Sequence, residues 1–441
     1  MTNHLYNNLD GKKFMKITTP AILAMVFLSL YTIVDGVFIS RFVGENALAA
    51  LNIVTPLYSL IFGMGIMLAA GSSAIVSAKL GEGKIEEAKE KFTLMIGTAF
   101  LIGAVFGIGR VIFSKKIVLA LGATPALFQY CIDYFWVISL FMPIMMLKTM
   151  FEYFLRAAGH PSFELFNSII GGVTNIVLDY VFIVVLEMGI AGAAWGTALG
   201  YAISFVISGL FFLSRKPILH FKKPKWDSGF LLSSCANGSS EMVSELSNGI
   251  TTYLFNILTL AYMGEKGVAA ISIILYAHFL MTSVYIGFSS GASPIISYFY
   301  GKKEEKEIKK AVNYCVIFIV ISSILVFAFS QFGASFMVEI FADKHTEVFE
   351  ITKQGFHLFS YCFLFVGINI FASALFTSFL NGKISAILSF FRALVFVLIG
   401  ILFLPELFGI NGIWLIIPFA EIMTLLFSVY YARKYKRVYG Y

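Results

Sequence analysis

Five polar side chains lie within or at the ends of long apolar stretches, where burying them is costly. They are Asp35, Tyr134, Asn175, Asp179 and Thr197. Asn175 and Asp179 are four residues apart, so a helix places them on one face. Ionisable groups inside a membrane-spanning segment are candidates for function by default. We therefore predict that these residues form a cation site in the outer half of one helix bundle.

Two cations suit such a site. Oxygen groups that converge at one depth suit Na⁺, by analogy with the oxygen-seeking divalent cations. Its ligands would be Asp35, Asn175, Asp179 and Thr197. A pair of neighbouring carboxylates suits H⁺ equally well, since their mutual repulsion favours uptake of a proton. The alternative for Asp35 is a solvated acid at the membrane edge, paired with Arg41. For Tyr134 and Thr197 it is a role in packing or backbone hydrogen bonding.

A further acid, Glu245, lies near the middle of a long apolar run in the second half of the chain. It is a candidate for binding a cationic substrate or a second proton, and equally for a hydrogen-bonded structural acid. Arg392 and Glu421 both fall near the middle of predicted helices, where a charge needs a partner, so we predict a structural ion pair between them.

Three charged residues at spacing four, Lys148, Glu152 and Arg156, predict ion pairs within one helix near its cytoplasmic end. This spacing is more typical of helix stabilisation than of a binding site.

The elements that position these residues are predicted to be membrane helices. The chain has 441 residues, of which 59% are hydrophobic and 13% charged, against about 45–50% and about 25% in soluble domains. We find about twelve apolar runs of the roughly 20 residues that a membrane crossing needs. The runs at 229–262 and 268–300 are two of these. The fold class is therefore all-α integral membrane, with about twelve transmembrane helices.

Basic residues concentrate in alternate loops, which the positive-inside rule places in the cytoplasm. Both termini are then cytoplasmic. The longest of these loops, residues 215–227, has the sequence RKPILHFKKPKWD and lies at the middle of the chain. We interpret it as the joint between two halves, with a solvated basic face that contacts lipid headgroups.

Three stretches of the first half recur in the second at one constant offset. The matching pairs are Gly44 and Gly264, Gly71 and Gly291, and Gly189 and Gly409, each 220 positions apart. A constant offset predicts duplication of a half-protein of about six helices. We place the halves at 1–220 and 221–441, with the same orientation in the membrane, as a parallel pseudo-twofold repeat.

The repeated motif GSSAIVSAKLGEGK, its partner GASPIISYFYGKKEEK and the segment TIVDGVFISRFVGENALAAL together resemble the multidrug and toxic-compound extrusion (MATE) transporters. The resemblance covers nearly the whole chain and is closest to the bacterial MepA-like subgroup. It implies two six-helix bundles that open outward as a V. It also implies a coupling site in the first bundle at Asp35, Tyr134, Asn175, Asp179 and Thr197.

The resemblance predicts an antiporter that exports amphipathic organic cations or drugs across the bacterial cytoplasmic membrane in exchange for H⁺ or Na⁺. We expect small cationic substrates, membrane lipid around a monomer, no nucleic acid and no cofactor. The alternative is a flippase for lipid-linked oligosaccharide or polysaccharide from the same broader superfamily. No GxxxxGK[ST] or HExxH motif is present, so an ATP-driven pump or an enzyme is not expected.

Overall fold

The computed structural model describes residues 9–214 and 217–441. Arg215 and Lys216 of the predicted linker therefore lie outside the described residues. Within the described ranges the chain is helical and contains no strand, and 11 helical tracts are long and apolar enough to cross a membrane. The tract Ser228–Lys302 has 75 residues, more than three times the length that one crossing needs, so it accounts for two spans. The predicted fold class is confirmed.

The first half of the chain contributes six helices. They are α1 (Gly11–Phe38), α2 (Glu45–Gly81), α3 (Ile85–Ala120), α4 (Pro125–Ala157), α5 (Pro161–Asp179) and α6 (Gly189–Leu213). The side chain of Asp10 caps α1 by accepting a hydrogen bond from Lys13 N at 2.7 Å. Pro125 and Pro161 occupy the first residues of α4 and α5, where a missing N–H costs nothing.

The second half begins with the double-length helix and ends with a long terminal helix. Its elements are α7 (Ser228–Lys302), α8 (Glu305–Phe332), α9 (Ala334–Glu339), α10 (Glu347–Phe359), α11 (Phe363–Ser378), α12 (Gly382–Phe390), α13 (Phe396–Phe408) and α14 (Ile410–Tyr439). Gly264 interrupts α7 with φ 65° and ψ −157°, a conformation that is accessible mainly to glycine. The break falls between the two runs predicted from hydropathy.

Because the spans alternate in direction, α1 begins and α14 ends on the same side of the bundle. We call this side the terminal end and the opposite side the far end. Arg110 lies inside α3 and is buried. The ring of Phe135 covers its guanidinium at 4.3 Å.

The apolar core is continuous at the terminal end and divided at the far end. One cluster at the terminal end joins both halves through residues such as Phe154 and Phe288. Towards the far end, one cluster contains only residues between 39 and 201. Another contains only residues between 255 and 420. Among the described residues, then, the two halves share a core at the terminal end and have separate cores at the far end.

Glycines of the repeated motif form a close approach between the halves. A Cβ on Gly81 would overlap the carbonyl oxygen of Tyr298, and a Cβ on Gly301 would overlap that of Ala78. Each residue in this contact has its counterpart 220 positions away, so the contact is reciprocal about a pseudo-twofold axis. Small residues allow such backbone proximity between membrane helices.

Candidate functional site

Three π-helical turns occur in the described part of the chain, and each lies at an intramembrane charge. Ile39–Val43 follows Asp35 by one turn, Tyr180–Val185 follows Asp179 directly, and Phe391–Val395 contains Arg392. A π turn leaves helical hydrogen bonds irregular and occurs frequently at functional sites. The irregular backbone thus coincides with the charges selected from the sequence.

The carboxyl groups of Asp35 on α1 and Asp179 on α5 meet within hydrogen-bonding reach of each other. Asp179 is fully buried and Asp35 is partly buried. Asp35 Oδ1 and Asp179 Oδ1 are both inaccessible and lack hydrogen-bond partners in the structure. Arg41, the alternative partner for Asp35, is exposed and forms no ion pair within the described residues. The site is therefore a contact between two acids with no compensating base.

Amide and hydroxyl groups complete one side of this acid pair. The Asn175 Nδ2 group donates to Asp179 Oδ2 and to Thr197 Oγ1, each at 3.4 Å. Asn175 Oδ1 is buried and has no hydrogen-bond partner. Three buried oxygens without partners, one each from Asp35, Asn175 and Asp179, thus lie in the same site. Buried polar atoms are normally satisfied, so this group has the composition of a site that takes up a cation.

Tyr134 approaches from α4, where it is 9% exposed. It lies close enough to Asp35 and Asp179 to interact with both charges. The structure therefore brings all five residues predicted for the cation site into one region of the first half.

A glycine ridge on α6 allows Asp179 its position. Gly196 and Gly200 pack against α5, and Gly192 packs against Phe182 of the π turn that follows it. A Cβ on Gly196 would overlap Asp179 Oδ1, so any larger residue there displaces the carboxyl group. Sequence reasoning identified this ridge as helix packing. It did not identify Gly196 as a neighbour of the acid.

Tyr276 of α7 reaches the site from the second half. Its hydroxyl oxygen lies 3.5 Å from the position that a Cβ on Gly36 would take, next to Asp35. It interacts electrostatically with Asp35. Nothing in the sequence singled out Tyr276, because tyrosine is frequent in this chain and the repeat has no matching motif there.

The structure does not bring Glu245 to the acid pair. Its Cβ lies 3.1 Å from the position of a Cβ on Gly63 of α2, at the contact between the halves. Glu241 lies one turn earlier on α7, and neither acid forms an ion pair within the described residues. The two acids lie apart from the acid pair, Glu245 near Tyr58 of α2 and Glu241 within electrostatic reach of Arg156 and Arg392.

The predicted pair between Arg392 and Glu421 is present, with Nη1 and Oε1 3.7 Å apart. Asn369 of α11 donates to Glu421 Oε2 at 2.7 Å, and Ser428 donates to Asn369 Oδ1 at 2.8 Å. The short hydrogen bond to the amide, and not the longer ion pair, is the closer contact of Glu421. This network is structural and lies within the second half.

The pattern of ion pairs at Lys148, Glu152 and Arg156 was predicted only in part. Lys148 Nζ and Glu152 Oε1 pair at 2.7 Å on α4. Arg156 instead pairs with Glu164 of α5, at 3.0 Å between Nε and Oε2. Lys148, Arg156 and Glu164 are buried, and Glu152 is partly buried. Sequence reasoning missed Glu164, although its spacing to Ser168, Asn175 and Asp179 was a usable signal for one helix face.

Comparison with known proteins agrees with this architecture. A family model, MatE, matches residues 20–181 and 244–402. The multidrug export protein MepA of Staphylococcus aureus (strain NCTC 8325 / PS 47) is 25% identical over 432 residues, covering 94% of this chain and 92% of that protein. The multidrug export protein MepA of Staphylococcus haemolyticus (strain JCSC1435) is 23% identical, covering 95% of this chain and 92% of that protein.

Solved structures share the fold. One is described as the outward-facing conformation of a multidrug resistance MATE family transporter of the MOP superfamily. It superposes with a TM-score of 0.92 at 21% identity, covering 100% of this chain and 98% of that chain. A MOP superfamily transporter from Pyrococcus furiosus, whose binding pocket is described as having reverse polarity, superposes with a TM-score of 0.91 at 20% identity and the same coverage.

Proposed function

The chain belongs to the MatE family, and from this membership we propose that it is a cation-coupled antiporter that exports amphipathic organic cations or drugs. The contact between Asp35 and Asp179, with buried oxygens that lack partners, carries the proposal. It is supported by the names of the relatives, which are multidrug export proteins.

Proton coupling fits the geometry better than sodium coupling. Two carboxyl groups within hydrogen-bonding reach of each other share a proton readily, because both cannot remain charged at that distance. Na⁺ is the second candidate, since the oxygens of Asp35, Asn175, Asp179 and Thr197 would supply its ligands as cargo. Bound Na⁺ would separate the two carboxyl groups, whereas a shared proton holds them together.

In the proposed transport cycle, binding and release of the cation change the charge of the acid pair. A cation that enters from the far end neutralises the acid pair, and α1, α5 and α6 repack around it. The substrate then leaves at the far end, and release of the cation at the terminal end resets the site. A cation that binds one conformation more tightly than the other shifts their populations in this way.

The acids Glu241 and Glu245 provide a site for the substrate's positive charge. They lie at the contact between the halves, apart from the acid pair, and no base among the described residues pairs with them. The stacked rings of Tyr58 and Phe62, 5.7 Å apart, lie on the adjoining face of α2. Aromatic faces and acids together suit flat organic cations.

The terminal end is proposed to face the cytoplasm of a bacterial cell, because the predicted cytoplasmic loops all lie there. The separated far-end cores then correspond to an outward-open cleft between halves 1–220 and 221–441. We expect a monomer that uses no cofactor and catalyses no covalent reaction. The lipid-linked flippase is disfavoured, because the coupling-site candidates of the first half are the acids Asp35 and Asp179.

Ethidium efflux from proteoliposomes tests the function. Wild type should export ethidium under an imposed pH gradient, and Asp35→Asn should abolish that flux. Asp133→Asn is the matched control, since Asp133 also lies on a helix of the first half but accepts a hydrogen bond from Gln129 away from the site. Flux that responds only to a Na⁺ gradient would show that Na⁺, and not H⁺, is the coupling ion. Absence of flux under both gradients would contradict the antiporter.

A further inference from the structure

The last helix, α14, carries an exposed row of side chains that changes from apolar to basic along its length. Its members follow one another at spacings of three and four residues, so they lie on one face of the helix. They are Ile422, Leu426, Val429, Tyr430, Arg433, Lys434 and Arg437, and all seven are exposed. We call this set the α14 stripe. The proposed transport cycle uses none of its members.

The α14 stripe points away from the rest of the protein. Another face of the same helix packs through Phe427, Tyr431, Tyr435 and Tyr439 against a cluster that contains Phe376 of α11. The ring centres of Tyr435 and Tyr439 lie 5.9 Å and 6.4 Å from that of Phe376. These contacts fix the rotation of α14 about its axis, so the stripe faces the surroundings of the bundle.

The polarity of the α14 stripe follows that of a phospholipid in one leaflet. Its apolar part, from Ile422 to Tyr430, spans about 12 Å, and the whole stripe to Arg437 spans about 22 Å. One leaflet measures about 15 Å of hydrocarbon and roughly 20–22 Å with its headgroups. Tyr430 marks the boundary between the two parts, the level at which tyrosine is enriched in membrane helices. An acyl chain and its headgroup therefore match the stripe in order and in length.

The basic part of the α14 stripe has no acid to neutralise it. Within the described residues, Arg433, Lys434 and Arg437 form no ion pair. The ammonium group of Lys434 lies 5.7 Å from the ring centre of Tyr430 and 5.8 Å from that of Tyr435. These three positive charges thus remain available to an anion from outside the chain.

The basic linker differs in this respect, although it was expected to contact headgroups. Lys222 and Lys225 pair with Glu90 of α3 at 2.8 Å and 3.2 Å. At these two lysines the positive charge is already offset by the protein. The α14 stripe combines uncompensated charge with an exposed apolar surface on the same helix face.

From this surface we propose that the α14 stripe binds an anionic phospholipid of the leaflet at the terminal end. The lipid phosphate accepts hydrogen bonds from Arg433, Lys434 and Arg437, and an acyl chain lies along Leu426 and Val429. Guanidinium groups suit this contact because their N–H groups match the geometry of a phosphate. Charge complementarity selects the occupant, since a zwitterionic lipid carries its own cation and gains less from three bases. The site does not depend on the proposed antiport.

The full chain, purified in detergent, allows a direct test with phosphatidylglycerol and phosphatidylcholine of identical acyl chains. Wild type should retain phosphatidylglycerol in native mass spectrometry and unfold at a higher temperature in its presence, and phosphatidylcholine should have neither effect. Arg433→Gln/Lys434→Gln/Arg437→Gln should fold normally, because exposed substitutions rarely change stability. Its affinity for phosphatidylglycerol should fall at least about tenfold, since each basic residue near an anionic surface contributes roughly fivefold.

The matched control is Lys16→Gln/Lys306→Gln/Lys309→Gln, which removes three exposed bases from the same end and should bind the lipid as wild type does. Equal loss in both triple variants overturns the site, because net charge alone would then explain binding. Inorganic phosphate that stabilises as well as the lipid overturns the role of the apolar part. A dimer that only the stripe variant loses, measured by light scattering, assigns the surface to a second copy and also overturns the proposal.

Discussion

The Oδ1 atom of Asp179 occupies the space beside Gly196 in which a side-chain methyl group would lie. The position of the buried acid thus depends on the absence of a side chain on the neighbouring helix. No charge and no hydrogen bond from Gly196 is involved. The relationship is purely steric, and it makes a specific substitution informative.

Gly196→Ala should displace the Asp179 carboxyl group and abolish coupled ethidium efflux. Overpacking of a close helix contact destabilises by about 1–3 kcal/mol, so the protein should still fold. The matched control on the same helix is Gly209→Ala, whose Cβ would lie at an ordinary 3.7 Å from Phe151. Proteoliposome efflux and thermal unfolding measure both effects. Equal flux in the two variants would contradict the steric account.

The reciprocal contact of Gly81 and Gly301 should stabilise the conformation in which the two halves are joined at the terminal end and separated at the far end. Gly81→Ala forces α2 away from the Tyr298 carbonyl, and we expect it to destabilise this conformation by about 1–3 kcal/mol. Cysteines placed at the far end should then become less accessible to a membrane-impermeant thiol reagent. Gly97→Ala, where no atom lies within 4 Å of the added Cβ, should leave accessibility unchanged. An unchanged pattern in both variants would exclude this role for the contact.

Arg392 should contribute to stability through Glu421. Arg392→Met leaves Glu421 buried with only Asn369 as a close partner, and loss of one member of a buried charged contact costs about 1–3 kcal/mol. Arg392→Met/Glu421→Met should recover most of this loss, because it removes the unpaired charge as well. Thermal unfolding in detergent measures both. If the double variant were less stable than the single one, the pair would not be the stabilising unit.

The linker between the halves should detach at low pH. Lys91 Nζ, 2.7 Å from Asp227 Oδ2, holds the pKa of Asp227 below its ordinary value of 3.8, and the Phe230 N–H assists. Because the pKa of Asp227 is lowered in the folded protein, its carboxylate stabilises the docked linker fully at every pH above the ordinary pKa of 3.8. This stabilisation disappears as the pH falls through the lowered pKa. Amide exchange at the start of α7 should therefore increase in acid.

At high pH, docking of the linker should weaken through loss of the charge on Lys222. Glu90 and then Glu86 accept hydrogen bonds from this ammonium group and raise its pKa above 10.5, so its contribution is complete below that value and disappears at higher pH.

Asp227→Asn should show the increased amide exchange already at neutral pH. If wild type and variant exchanged equally at neutral and at acid pH, the contact would have no role in docking.

Much of the architecture followed from local properties of the chain. The hydropathy runs predicted the spans because a bilayer selects apolar stretches of about 20 residues, whatever they pack against. The same reasoning predicted separate runs at 229–262 and 268–300, and Gly264 breaks α7 between them. Asp35, Asn175 and Asp179 were selected because an intramembrane polar group is costly wherever it occurs. Tyr134 and Thr197 were included through the family resemblance.

Which side chains pair between helices could not be predicted from these local properties. Arg156 was expected to pair along α4, and it pairs instead with Glu164 of α5. Glu245 and Tyr276 take their positions at the contact between the halves, next to Gly63 and Gly36. The rotation of each helix about its axis decides such contacts, and that rotation results from many weak packing interactions.

By itself, the sequence indicated a membrane protein with an internal repeat and with acids at defined depths. This was possible because the free-energy cost of placing a segment in the bilayer depends on the residues of that segment alone. Only the tertiary structure decided that Asp35 and Asp179 meet and that Glu245 stays apart from them. These relations join segments far apart in the chain. They exist only once close packing at residues such as Gly196 has fixed the distance between two helices.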